Sequence, residues 1–173
     1  MLKSRSEIKE FFEWSQDPTK MNLLNLLAGH PATGFYSGSF NPLHSAHLWI
    51  QRCVPGTAFE LSLVRVGKPP YSSFNEFYCI VDQFQQLNLP LIVTTASKFS
   101  DKLALWKNTF GYDAKHVLMG DDTAHRMGRK VIQNHPKTKF YIFHKTTSYS
   151  PNAIWTEIPE CFAHTRSSNI RNS

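Results

Sequence analysis

The sequence predicts an α/β protein, a doubly wound Rossmann-like parallel sheet with helices on both faces and a helical extension at the N-terminus. Three observations carry this reading. Beyond residue 33, short apolar runs alternate five times with polar loops and amphipathic stretches. The amphipathic stretches are long enough to be crossover helices, which makes the strands parallel. No internal repeat or low-complexity tract interrupts the order. A chain of 173 residues fits one domain spanning 1–173, divided into a helical extension (1–30) and an α/β core (33–173).

The extension opens with Ile8, Phe11 and Phe12 at helical spacing, and Asp17-Pro18 breaks that run. A second helix is expected over Met21–Leu27, ending near Gly29-His30-Pro31. The first core strand is expected around Gly34–Ser37, with a helix from about His44 to Cys53. The second strand is Phe59–Val66, then the loop Gly67-Lys68-Pro69-Pro70 and a helix over Ser73–Leu87. Leu91–Thr95 forms the third, before a helix near Asp101–Thr109. His116–Met119 is the fourth, with Gly120 and a helix from Asp122 to about Gln133, and Phe140–Phe143 is the fifth.

Such sheets bind ligands outside the carboxyl ends of their strands, where the strand order reverses. The rule directs attention to Ser39–His47, Lys68, Thr94–Lys98, Gly120–Asp122 and His144–Lys145.

Composition sets outer bounds. Hydrophobic residues at 41%, with 13 Phe and 4 Trp, supply a packed core. A net charge of +6 suits anionic ligands without choosing among them. No dense Lys/Arg run with interleaved aromatics marks a nucleic-acid groove, so no nucleic-acid partner is expected. Cys53, Cys79 and Cys161 are odd in number, widely spaced and without a CxxC pair. They argue against a disulfide framework and a zinc knuckle, and fit a reducing compartment. The opening MLKSRSEIKEFFEWSQ lacks an apolar core and a cleavage site, and no segment is apolar enough to span a bilayer. A cytoplasmic location with no membrane partner is the expectation.

The first loop, Gly38-Ser39-Phe40-Asn41-Pro42-Leu43-His44-Ser45-Ala46-His47, carries most of the chemistry. Gly38 permits close backbone approach and Pro42 stiffens the turn. His44 and His47, three apart, project from one face of the next helix. Together with free N–H groups at the helix N-terminus they form a cradle for phosphate oxygens. Half of a metal site and a structural histidine are the competing readings, and no carboxylate or thiolate in the loop completes a metal site. At the far end, Ser167-Ser168 followed by Arg171 suggests a second phosphate-binding helix start, or simply a helix cap.

These motifs resemble those of the nucleotidyltransferase superfamily. The first loop resembles its HxGH signature, and the GSFNP wording is most similar to nicotinamide- and nicotinate-mononucleotide adenylyltransferases. Ala46 stands where the family has glycine. Thr165-Arg166-Ser167-Ser168-Asn169-Ile170-Arg171 resembles the (I/R)SSxxIR motif, and Gly120-Asp121-Asp122 the GAD-type motif. The resemblance runs from Thr33 onward. The family usually continues for a helix beyond the last motif, whereas this chain ends at Ser173, so a single helical turn is expected there.

The resemblance implies adenylyl transfer from ATP to nicotinamide or nicotinate mononucleotide, with Mg²⁺ carried by the triphosphate. It implies catalytic roles for His44, His47 and Arg171. It implies nucleotide binding by Gly38, Ser39, Phe40, Ser167, Ser168, Ile170 and Lys145. Gly120 and Asp122 would meet the acceptor, with Lys68 and Trp106 as further candidates. For Asp122 a capping role stands beside this, for Lys68 a solvated loop position, and for Trp106 a place in the core. Arg126, Arg129 and Lys130 read as a solvated helix face. Another phosphorylated acceptor, with cytidylyl or adenylyl transfer, and a non-catalytic nucleotide-binding module are the alternatives. A homo-oligomer joined through the N-terminal helices is an open arrangement.

Overall fold

Alternation along the strands sorts the apolar residues to two faces of one sheet. A computed structural model describes residues 3–17, 19–65, 67–144 and 153–158. It contains β1 (Leu23–Leu26), β2 (Gly34–Gly38), β3 (Thr57–Ser62), β4 (Leu91–Thr94), β5 (His116–Gly120), β6 (Lys139–His144) and β7 (Ala153–Glu157). The spatial order is β1-β4-β3-β2-β5-β6-β7. All neighbours pair in parallel except β1, which runs antiparallel to β4. From β2 the chain winds outward through β3 to β4, then crosses back to β5 and winds the other way. The reversal lies between β2 and β5, the doubly wound topology with β1 added at one edge.

The helices are α1 (Arg5–Trp14), α2 (Ser45–Arg52), α3 (Phe74–Gln86), α4 (Phe99–Phe110), α5 (Asp121–Met127) and α6 (Arg129–Asn134). Tyr36, Phe59, Leu91, Val93 and Leu118 face α1, α2 and α3, packing against Ile8, Ile50, Phe77 and Phe84. Their neighbours Phe35, Ala58, Ile92, Val117 and Met119 face α4 and α6, packing against Leu103, Trp106 and Ile132. Residues buried on both faces of a parallel sheet give the near-continuous apolar runs seen in the sequence.

The N-terminal extension holds one helix. Ser4 and Glu7 close a capping box at the start of α1. Phe12 then stacks on Phe77 of α3 at 5.3 Å, which packs α1 against α3. The second expected helix, Met21–Leu27, is instead the edge strand β1. Leu23 and Leu26 are buried and Asn25 is exposed, while the backbone pairs with β4. Leucine favours helix locally, but seven residues make too short a helix to outweigh pairing to an open sheet edge. The helix expected over Asp122–Gln133 is broken in two at Gly128, whose φ of +78° lies in the left-handed region.

Candidate functional site

The loop after β2 is built around a buried aromatic. Phe40 is fully buried at φ +44° and meets Phe59, Phe84 and His47 edge-on at 5.1, 5.6 and 5.0 Å. A side-chain carbon added to Gly38 would lie 2.7 Å from the Phe40 ring. Glycine at 38 therefore makes room for the aromatic beneath it. With its ring in the core, Phe40 has only backbone to offer a ligand.

His44 is the N-cap of α2 and His47 lies in its first turn. Their rings stack at 3.6 Å between centroids. The His44 backbone N–H donates to His47 Nδ1 at 3.4 Å. An Nδ1 that accepts belongs to a neutral ring with its proton on Nε2. Burial, aided by the neighbouring His44, pushes the His47 pKa down to about 3, and burial also lowers that of His44. Both rings are thus neutral near pH 7, and His47 keeps Nε2–H as a donor. Ala46 lies on the buried stripe of α2 with Ile50, so its methyl packs inward.

A cleft of about 490 Å³ opens at the carboxyl ends of β2, β3, β4 and β5. Ser37, Gly38 and Ser39 come from β2 and its loop, Ser62, Arg65 and Lys68 from β3 and its loop, and Ser97, Lys98 and Lys102 from the region after β4. Thr123 and Arg126 come from α5. Lys68 Nζ donates to Ser39 Oγ at 2.9 Å, joining two of these loops. Among the described residues the lining has five cations, Arg65, Lys68, Lys98, Lys102 and Arg126, and no carboxylate. Val64, Phe99, Met127 and Val131 form its apolar wall. An apolar wall facing hydroxyls and cations fits a ligand with a ring at one end and anionic oxygens at the other.

Of the residues singled out from sequence, the cleft brings together Gly38, Ser39, Lys68, Ser97 and Lys98, whereas His44, His47, Gly120 and Asp122, expected in the same crevice, are not among its lining residues. Gly120 is the N-cap of α5. Asp121 Oδ1 accepts the Asp122 N–H at 2.9 Å, which leaves the exposed Asp122 carboxylate out of the local turn. Trp106 cannot serve as a stacking platform: it is fully buried between Phe35 and Phe110 on the α4 side of the sheet. Arg126, expected on a solvated face, is exposed and also lines the cleft. Lys145, Ser167, Ser168, Ile170 and Arg171 lie outside the described residues.

Sequence reasoning passed over Arg65 and the buried pair of Glu60 and Lys102. The pair left a signal. Glu60 interrupts the buried run of β3, whose Ala58, Phe59 and Leu61 are core residues, and Lys102 falls on the stripe Phe99, Leu103, Trp106 that α4 buries.

Fold and site together define a doubly wound α/β protein with a cationic cleft at its topological switch point. No protein-family model and no curated protein sequence matches the chain. Among solved structures it is similar to Plasmodium falciparum nicotinic acid mononucleotide adenylyltransferase complexed with NaAD. The TM-score is 0.56 and the identity 16%, over 83% of each chain. A likeness at this identity is one of fold. Among the described residues, no group of three His, Cys, Asp or Glu side chains is arranged to hold a metal. No described helix is long and apolar enough to cross a membrane.

Proposed function

We propose that the chain is a nucleotidyltransferase that moves AMP from MgATP to nicotinamide or nicotinate mononucleotide and releases pyrophosphate. The observation that carries this reading is the switch-point cleft, with five cations, no described carboxylate and an apolar wall, entered by the loop that leads to His44 and His47. The fold likeness to an adenylyltransferase agrees with it.

The acceptor's phosphate is already an anion near neutral pH, so no general base is required. Its oxygen attacks the α-phosphorus of ATP, a new P–O bond forms, and the bond to the β-phosphate breaks to release pyrophosphate. The protein's task is to align two anions and stabilise the charge that develops. His47 does so as a neutral Nε2–H donor, and the start of α2 adds backbone N–H groups. Ser39 and Lys68 hold the ligand side of the loop. Arg171, with Ser167 and Ser168, would hold the β- and γ-phosphates, and Lys145 would add a further triphosphate contact. Asp122 would accept from the acceptor's ribose. Mg²⁺ enters with the triphosphate as part of the substrate.

The test is pyrophosphate release across a panel of nucleoside triphosphates and phosphorylated acceptors. Release with ATP and a pyridine mononucleotide is expected. ATP binding without release for any acceptor would make the protein a nucleotide-binding module instead.

A further inference from the structure

Under the cleft lies a charge cluster that the transfer step leaves unused. Glu60 is fully buried on β3. Its Oε1 accepts from Thr94 Oγ1 at 2.6 Å, and its Oε2 from Ser37 Oγ at 2.6 Å and Lys102 Nζ at 2.8 Å. Lys102, only 5% exposed, reaches in from α4 and also donates to Ser37 Oγ at 3.1 Å.

A buried ion pair seldom stabilises a fold better than apolar side chains of the same size. Its presence at the floor of a cleft therefore asks for a second reason. An ammonium has three N–H donors, and Glu60 and Ser37 take two. Lys102 is a lining residue of the cleft and Glu60 is not, so the carboxylate grips the ammonium from the protein side. The Phe99 ring, 4.9 Å from Nζ, lies beside it on the same wall. The pair is neutral as a unit and contributes a fixed direction of donation. The surrounding Arg65, Lys68 and Lys98 contribute the net charge.

We infer that Lys102 is a ligand-contacting specificity residue whose remaining N–H donates to an anionic oxygen of the acceptor molecule, and that Glu60 positions it. The identity of the acceptor rests on the transferase reading. An ammonium offers donors and no acceptor, so it matches a carboxylate or phosphate oxygen and leaves a carboxamide N–H₂ unpaired.

The test is calorimetric titration of the wild type and the double variant Glu60→Gln/Lys102→Met, which keeps the cluster neutral. The probes are nicotinate mononucleotide, nicotinamide mononucleotide, nicotinamide riboside and MgATP. The double variant should lose about tenfold or more in affinity for the anionic probe that Lys102 contacts, with MgATP affinity held within about twofold. A loss confined to nicotinate mononucleotide assigns the contact to the ring carboxylate. A loss on both mononucleotides that spares the riboside assigns it to the phosphate. Unchanged affinity for every probe, or a wild type that binds no mononucleotide, overturns the inference. Pyrophosphate release, measured separately, isolates the other reading: a Lys102-dependent affinity with no release sinks the transferase and keeps this contact. Should the double variant fail to fold, Lys102→Arg serves instead. Its larger head cannot keep both tethers in the same space, so severalfold weaker mononucleotide binding is expected, and unaltered binding overturns the inference.

Discussion

The imidazoles of His44 and His47 are stacked with their centroids 3.6 Å apart and their planes 22° from parallel, and His47 Nδ1 accepts the His44 backbone N–H. The stack follows from their places on α2, the N-cap and three residues beyond it. The bond from His44 selects the tautomer that leaves Nε2–H of His47 as a donor. A donor whose partner gains charge only during reaction contributes to turnover more than to binding. Replacing His47 with Ala should lower kcat about 100-fold or more while the ATP dissociation constant moves by less than about threefold. Steady-state kinetics set beside ATP titration checks this, and unchanged turnover would remove the histidine's role.

Three histidines make the fold sensitive to mild acid. Burial lowers the pKa of His47 to about 3 and that of His116 to about 4, against 6.5 for a free imidazole, and lowers that of His44 too. Below 6.5 the unfolded chain takes up protons that the folded chain refuses. The unfolded state then binds more protons, so stability is fully present above about pH 6.5 and is lost as pH falls toward the folded values. Urea midpoints should fall steadily from pH 7 to 5. His116, whose Nε2 pairs with Thr57 Oγ1 at 2.7 Å, supplies the control: His116→Gln should shallow that fall. A flat profile in the wild type would contradict the burial argument.

The same physics separates what the sequence displays from what it conceals. Strands β2 to β6 were legible because two-sided burial writes apolar runs, and the loops at their carboxyl ends were legible because the topology dictates where ligands go. Strand β1 was not: in MNLLNLL the leucines satisfy helix and strand alike, and only the open edge of β4 decides between them. Trp106 was ambiguous because a tryptophan on an amphipathic helix looks the same whether it faces a ligand or Phe35. Arg126 reads as solvated and is exposed, but its place on the cleft rim depends on how α5 follows β5, which the spacing alone does not display. The Glu60–Lys102 contact spans 42 positions, so each residue's misplaced polarity was visible while its partner was not.

Gly38 and Phe40 should behave as one unit. A methyl at position 38 would sit 2.7 Å from two carbons of the Phe40 ring, closer than van der Waals contact allows. The ring is hemmed in by Phe59 and Phe84 and has little room to move. Gly38→Ala should therefore destabilise the protein by about 1–3 kcal/mol. Pairing it with Phe40→Leu removes the clash, so the double variant should cost less than the two single changes added together. Denaturation midpoints of the four proteins measure the coupling, and simple additivity would show that the ring does not set the requirement for glycine.

The strongest coupling should belong to Glu60 and Lys102. In Lys102→Met the Glu60 carboxylate stays buried with only the Ser37 and Thr94 hydroxyls to satisfy it. In Glu60→Gln the Lys102 ammonium stays buried without a counter-charge. Each single change should cost about 3–5 kcal/mol, since the penalty is that of an uncompensated charge more than of a lost contact. Combining them leaves an amide and a thioether among hydroxyls, with no buried charge at all. Urea unfolding of the double variant should then show a loss well below the sum of the singles and comparable to either one or smaller. If the losses add instead, the two charges are each solvated independently, and the cleft floor is wetter than its 5% exposure at Lys102 implies.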